Sequence, residues 1–187
     1  MTKINYKKNK LQIITFIILG ALPLFMDSYY LDNISYFMCW TFISLGLAVI
    51  WGMGGILSFG QTAFFGLAGY GFSVISINFL GVAGVSLWSI VLALILTGVF
   101  GLIVGYFLFY GGIYDVFVGI VTLAITLVFE TFMQQTAGPE YAIGTARLNG
   151  FNGMQGMPTI GFESIPFGLI EGVTQYYFML ILAIITL

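Results

Sequence analysis

The chain has 187 residues, of which 60% are hydrophobic and only 6% are charged, and its formal net charge is −2. An ordinary soluble domain carries about 25% charged residues. A chain with so few charges cannot cover the surface of a soluble enzyme, and lipid is its expected solvent. Four of the five basic residues precede the first apolar run. They are Lys3, Lys7, Lys8 and Lys10, and the positive-inside rule places this end of the chain in the cytoplasm.

Apolar runs of about 20 residues predict transmembrane helices. Five runs qualify or nearly qualify, at residues 11–26, 34–51, 56–80, 85–109 and 113–133. The first is interpreted as a retained span, because no small-residue cleavage site follows it. The third is rich in glycine, which leaves a continuous helix and a broken or re-entrant helix as alternatives. A sixth run begins near Tyr176 and stops at Leu187, too short to cross a bilayer.

These runs predict an all-α fold, a polytopic transmembrane helix bundle of about five full spans plus a truncated sixth. Residues 1–187 are expected to form a single domain, the N-terminal part of a longer protein. Residues 27–33 are predicted to be a short outer loop, with turns at 52–55, 81–84 and 111–112. Residues 134–175 are polar and rich in glycine. With the N-terminus inside, alternation of the spans places this long loop outside, where Arg147 is its only basic residue.

Two of the predicted spans carry polar or small residues on one helical face. In the third span these residues are Ser58, Thr62, Gly66, Gly69, Ser73 and Ser76. A packing seam is the favoured interpretation, and the lining of a solute path is the alternative. In the fifth span they are Asp115, Gly119, Thr122, Thr126 and Glu130. A polar stripe is costly against lipid, so it should face protein or water. The two threonines, near the middle of the membrane, are candidates for a solute pathway, although threonine also bonds to its own helix.

Several kinds of chemistry are excluded by missing residues. The chain has no histidine, which excludes Ser-His-Asp catalysis and the common zinc motifs. It has no phosphate-binding P-loop motif and no lysine after Lys10, so ATP cannot be held in the manner of a P-loop protein. The single cysteine, Cys39, permits no disulfide within the chain. We predict no catalytic residue, no metal site and no nucleic-acid partner, and energy for uphill transport would have to come from elsewhere.

Three segments resemble a known family in the right order. The first segment is LGLAVIWG at residues 45–52 with GILSFGQTAFFG at 55–66, continued by Gly69 and Tyr70. The second segment is GIY at 112–114 with VTLA at 121–124. The third segment is NGFNGMQGMP at 149–158. They resemble the permeases of branched-chain amino acid ABC importers, and the resemblance covers most of residues 35–160. Gln61 replaces the family's usual histidine, three extra residues including Asp115 follow the GIY segment, and residues 137–141 are an unusual insertion. Because related permeases carry urea or short amides, the solute stays open.

The resemblance implies a membrane-spanning permease subunit in the bacterial plasma (inner) membrane. It would translocate a branched-chain amino acid or a related small neutral or zwitterionic solute, such as an amide or urea. Its implied partners are a second permease subunit, two cytoplasmic ATPase subunits that bind the ATP, and an external solute-binding protein. Candidate pathway residues are Ser58, Gln61, Thr62, Thr122, Thr126 and Glu130. Candidate contacts to the binding protein are Asn149, Gly150, Asn152 and Gly153, although turn formation is the favoured role of the asparagines.

Two other classes of protein remain as alternatives. One is an ion-coupled secondary transporter or a channel subunit, which needs no ATPase. The absence of a carboxylate firmly in mid-span counts against ion coupling. The other is an assembly subunit that does not transport. A charged cytoplasmic segment in the chain beyond residue 187 would favour the importer.

Overall fold

The computed structural model describes residues 6–161 and 171–186, and this part of the chain is mostly helical. The helices are α1 Tyr6–Ala21, α2 Ser28–Gly54, α3 Gln61–Asn78, α4 Val85–Tyr110, α5 Val116–Gln135 and α6 Val173–Thr186, with one 3₁₀ turn at Leu22–Leu24. Two short strands, β1 Ala142–Ile143 and β2 Ala146–Arg147, form an antiparallel hairpin. The predicted helical architecture is therefore confirmed, with a small hairpin that the sequence did not indicate.

Within the described residues, three helices are long and apolar enough to cross a membrane, namely α2, α4 and α5. The apolar helical stretches Gln12–Leu24 and Val173–Thr186 are shorter, and α3 has 18 residues rich in glycine and serine. Large apolar side chains point away from the protein, such as Phe37 at 66% and Leu102 at 75% exposure. These features are those of a membrane-embedded protein, while the predicted count of five full spans plus a truncated sixth is not confirmed.

The largest departures from the predicted boundaries flank α2. The predicted outer loop at 27–33 is wrong beyond Asp27, because α2 already begins at Ser28. At the other end, α2 continues to Gly54, and Gly55 follows with a φ of +66°, a left-handed conformation that ends a helix at little cost for glycine. Residues 55–60 are not helical, and α3 starts only at Gln61. The third run is therefore non-helical at its start, while α3 is one uninterrupted helix from Gln61 to Asn78, and a re-entrant path stays a prediction.

The fourth and fifth runs agree better with their predictions. The run at 85–109 is α4, which begins and ends beside glycines as predicted. The run at 113–133 corresponds to α5, but this helix begins at Val116. Asp115 precedes the helix with a φ of +51° and a ψ of −125°, so its prediction as part of the polar face of the fifth span is wrong. The backbone there leaves the helical region before the carboxylate can join that face.

The described chain forms two compact units. In the first unit, three elements pack around Leu31, Tyr176 and Leu180: helix α1, helix α6 and the N-terminal half of α2. The Tyr176 hydroxyl donates a hydrogen bond of 2.7 Å to the carbonyl of Leu19, which gives this buried polar group a partner. The prediction of one domain over residues 1–187 stays a prediction, because a division by contacts does not decide which parts fold independently.

The second unit contains the end of α2, then α3, α4, α5 and the hairpin. The antiparallel pair α3 and α4 packs closely, with Gly71 against Ala93 and the rings of Phe64 and Phe100 5.6 Å apart. The C-terminal ends of α3 and α5 both bond to the loop that carries the hairpin, through Asn78 and Thr136 respectively. Hence α3 and α5 run in the same direction, and we call the end of this unit with the hairpin the loop end.

Candidate functional site

The non-helical segment before α3 is held against α5 by two threonines. The Phe59 amide donates to Thr122 Oγ1 at 3.0 Å, and the Phe59 carbonyl accepts from Thr126 Oγ1 at 3.1 Å. Thr122 is buried and donates in turn to the carbonyl of Val118 at 2.8 Å. Main-chain groups cannot be left unpaired inside hydrocarbon. We call Thr122 and Thr126 the threonine pair, and they supply the partners that a helix would have given Phe59.

Close backbone approach makes this contact possible. A Cβ atom added at Gly119 would lie 3.1 Å from the carbonyl oxygen of Leu57, and one at Gly60 would lie 3.4 Å from Thr122 Cβ. Ser58 is buried, and its hydroxyl accepts from the Gly60 amide at 3.2 Å in a local turn. The prediction that Ser58 shares a helical face with Thr62 is therefore wrong, because glycine and serine at residues 55–60 form turns here instead of a helical turn.

A cavity of about 230 Å³ lies between α3 and α5. We call it the α3–α5 cavity. Its walls are Thr62, Ala63, Gly66, Leu67 and Tyr70 from α3, and Thr126, Phe129, Glu130 and Met133 from α5. The structure thus brings together three of the predicted pathway residues, Thr62, Thr126 and Glu130. Ser58, Gln61 and Thr122 are not among the lining residues, and Gln61 lies at the first position of α3 facing Gly46.

Sequence reasoning missed the apolar half of this cavity. Phe129 and Met133 lie three positions after Thr126 and Glu130, and that spacing places them on the same helical face, whereas Leu67 lies five positions after Thr62 and its place in the wall is not indicated by spacing. The spacing was a usable signal, but apolar residues in a membrane helix are also what lipid contact requires.

The two poles of the α3–α5 cavity differ in charge. At one pole lies the start of α3, where the N-cap residue Gly60 supplies no side-chain hydrogen bond. The first amides of a helix have no partner within it, and this end carries a partial positive charge. About one helical turn beyond Thr126 lies Glu130, whose carboxylate accepts from Gln134 Nε2 at 3.2 Å. A positive helix end, a carboxylate and apolar walls can hold a small zwitterion.

The predicted residues of the outer loop build turns. Asn149 has a φ of +44°, and its Nδ2 donates to the Gly153 carbonyl at 2.9 Å. The amide of Asn152 donates to the Asn149 carbonyl at 3.1 Å, and the Gly150 amide donates to Thr136 at 3.3 Å. These bonds agree with the favoured interpretation, turn formation. Contact with a binding protein stays a prediction for these four residues.

Asn78, at the end of α3, is a further structural residue that the sequence did not reveal. Its Nδ2 donates to the Ile143 carbonyl at 2.8 Å, and its Oδ1 accepts from the Thr145 amide at 2.9 Å. Gly144, between them, has a φ of +64° and lies so close that a side chain there would collide with Asn78. The hairpin is therefore fastened to the end of α3. A lone asparagine at the end of an apolar run gives no indication of such a distant partner.

Comparison with known families gives one match. The model of the family described as branched-chain amino acid transport system, permease component, matches residues 29–187, from the start of α2 to the end of the chain. Comparisons with curated proteins and with solved structures give no match. The resemblance inferred from the three sequence segments is confirmed. This chain belongs to the family of permease components of branched-chain amino acid transport systems.

Proposed function

We propose that this chain is the membrane-spanning subunit of a bacterial ABC importer in the plasma membrane. It moves a branched-chain amino acid, or a closely related small zwitterion, along a path between α3 and α5. Membership of the permease family supports this function. The observation that carries it is the α3–α5 cavity, where the break at residues 55–60 brings the start of α3 beside Thr126. Broken helices whose ends face a cavity are typical of transporter binding sites.

The chemistry of the α3–α5 cavity favours an aliphatic zwitterion. The amides at the start of α3, which have no partner within that helix, suit a carboxylate. Glu130 suits an ammonium group, and Leu67, Phe129 and Met133 suit a branched aliphatic chain. The volume of about 230 Å³ is below the range of roughly 300–1,000 Å³ typical of drug-sized ligands, so the solute is small. Urea and short amides lack the carboxylate and would leave the positive pole without a partner.

The energy and the remaining parts come from partner subunits. The chain has no P-loop motif, so ATP is bound and hydrolysed by two cytoplasmic ATPase subunits. A second permease subunit packs against the exposed apolar faces, and an external solute-binding protein delivers the solute. The four lysines before Leu11 keep the N-terminus in the cytoplasm, and the loop end of the second unit then faces outward.

Uptake into cells that carry the complete importer tests this function. Radiolabelled leucine, isoleucine and valine are compared with acetamide and urea. We expect the three amino acids to enter the cells and the neutral amides to be rejected. We also expect Glu130→Gln to lower kcat/KM for leucine uptake about tenfold or more, which is the effect of losing a hydrogen bond to a charged group. Thr131→Val is the matched control, because Thr131 lies on α5 but bonds only to its own helix at Leu127.

Three results would contradict the proposal. Uptake of urea or acetamide in preference to leucine would refute the zwitterion. Equal kinetics for Glu130→Gln and Thr131→Val would remove the α3–α5 cavity from the path. Uptake that persists with a catalytically inactive ATPase partner, but stops when the ion gradient is collapsed, would favour the ion-coupled class instead.

A further inference from the structure

A second cavity, of about 330 Å³, lies at the loop end, and we call it the loop cavity. It is separate in its residues from the α3–α5 cavity. Four of its lining side chains are polar, namely Thr145, Arg147, Asn149 and Gln155, and Ile77 and Pro139 contribute apolar wall. Its volume lies within the range of roughly 300–1,000 Å³ found for small-molecule sites. It can accommodate a small solute together with some water.

Arg147 is the distinctive group in the loop cavity. It is the only basic residue in the sequence after Lys10. Its backbone is fixed by pairing of the two strands, Ala142 opposite Arg147. Within residues 6–161 and 171–186, no hydrogen bond or ion pair engages its side chain. A guanidinium group has five N–H donors and no acceptor. Those donors are available to a ligand in a cavity whose walls are otherwise held in place.

The neighbouring polar groups divide into fixed and available ones. Thr145 is held by Asn78, and Asn149 is held by the Gly153 carbonyl. The side chain of Gln155, like that of Arg147, has no partner in the described part of the chain. The hydrogen-bonded walls give the cavity a defined shape, and the side chains of Arg147 and Gln155, unpaired among the described residues, give it an excess of hydrogen-bond donors.

Within residues 6–161 and 171–186, no acidic residue forms an ion pair with Arg147. Glu140, the acidic residue next to the hairpin, folds against Gly138 and forms no ion pair with Arg147 in the described structure. A carboxylate is the ligand that matches a guanidinium best, because two parallel N–H···O bonds can form at once. An ammonium group or a neutral amide would leave at least some of the guanidinium N–H donors without an acceptor. The loop cavity therefore selects for anions of carboxylate geometry.

We propose that the loop cavity binds the carboxylate of a small solute at the outer face, before the solute reaches the α3–α5 cavity. That this solute is an amino acid rests on the function proposed above. Arg147 is exposed, and exposed ion pairs contribute only up to about 1 kcal/mol, or about fivefold in affinity. The site is consequently weak. Weak binding suits a site that must release its solute onward.

The rate at which a cysteine in the loop cavity reacts tests the proposal locally. Ala137→Cys, in a Cys39→Ser background, places one thiol in the cavity wall of the full chain in proteoliposomes. Its modification by a membrane-impermeant maleimide is measured with L-leucine, with isovalerate, which has the carboxylate alone, and with leucinamide, which has the ammonium alone. Phe151→Cys is the matched control, because Phe151 is an exposed loop residue that does not line the cavity.

We expect leucine and isovalerate to slow modification of Ala137→Cys and leucinamide to leave it unchanged. Adding Arg147→Gln should raise the protecting concentration by up to about fivefold, and the control thiol should be unprotected throughout. Because the side chain of Arg147 has no partner among the described residues, Arg147→Gln should melt at the same temperature as the parent chain. Protection by leucinamide equal to that by leucine, or protection unchanged in Arg147→Gln, would overturn the proposal.

Three further outcomes separate the sources of the carboxylate and the two proposals. If free carboxylates give no protection but the solute-binding protein does, and Arg147→Gln abolishes it, the occupant is an acidic side chain of that partner and the proposed solute site is refuted. If protection depends on Arg147 while the complete importer transports no amino acid, the site stands and the proposed function fails. If transport is normal and protection is absent, only the site fails.

Discussion

Replacement of Thr122 by valine should loosen the start of α3. Valine has nearly the same shape as threonine, so the packing against Gly60 is kept and only the hydroxyl is lost. The Phe59 amide then loses the acceptor that it bonds at 3.0 Å. Leaving a buried amide unpaired costs about 1–3 kcal/mol. Hydrogen bonds between membrane helices measure about 0.6 kcal/mol on average, so we expect a loss near the lower end, about 1–2 kcal/mol.

A comparison of Thr126→Val with Thr122→Val tests the reasoning more sharply than the loss of unfolding free energy in Thr122→Val alone. Thr126→Val removes a donor to the Phe59 carbonyl, and an under-bonded carbonyl is tolerated better than an orphaned amide. We therefore expect Thr126→Val to cost less than Thr122→Val, below about 1 kcal/mol. Thr122→Ser keeps the acceptor and should restore most of the stability. The order of the three variants follows from which main-chain group each one leaves unpaired.

Reversible unfolding in bicelles or mixed micelles, followed by circular dichroism, measures the three free energies. The reasoning fails if Thr122→Val and Thr122→Ser unfold alike, since the hydroxyl would then contribute nothing. It also fails if Thr126→Val is the more damaging change. If Thr122→Val loses uptake while its free energy of unfolding is unchanged, Thr122 takes a direct part in the solute pathway, as its position on the polar face predicted for the fifth span suggested.

Two further variants test the loop end. Asn78→Ala should release the hairpin from α3, so proteolysis in the loop should rise and stability should fall by about 1–3 kcal/mol; Asn33→Ala, which loses only a bond to its own helix, should change neither. Gly150→Ala should lower the melting temperature, because the new methyl group would collide with the Met133 carbonyl, whereas Gly20→Ala meets open space and should be harmless. Equal melting temperatures for the two alanine variants would refute the collision.

The parts of the fold that depend on local sequence were predictable. The helix α4 was predicted within one residue, because a long apolar run is bounded by Gly84 and Gly111. The start of α3 was not, because glycine and serine are tolerated in membrane helices and the break at 55–60 is completed by Thr122 and Thr126, more than sixty positions away. Partners so distant leave no periodic signal in the sequence.

The candidate site was predictable to the extent that polarity reveals it. Thr62, Thr126 and Glu130 stood out because polar groups in a membrane helix must face protein or water. Leu67 and Met133 line the same cavity, but their chemistry does not distinguish a cavity wall from a lipid-facing surface. The two-residue strands of the hairpin are too short for the alternating pattern by which strands are recognised.

The helix α3 is anchored at both of its ends. Phe59, just before it, is bonded to the middle of α5, and Asn78, at its last turn, is bonded to the hairpin. A hairpin displaced by a few ångströms must therefore either pull α3 along its own axis or break the Asn78 bonds. Since a helix is stiff along its axis, a push received at the loop end would be delivered to the wall of the α3–α5 cavity, about 12 Å of helix away at Tyr70 and about 24 Å away at Thr62.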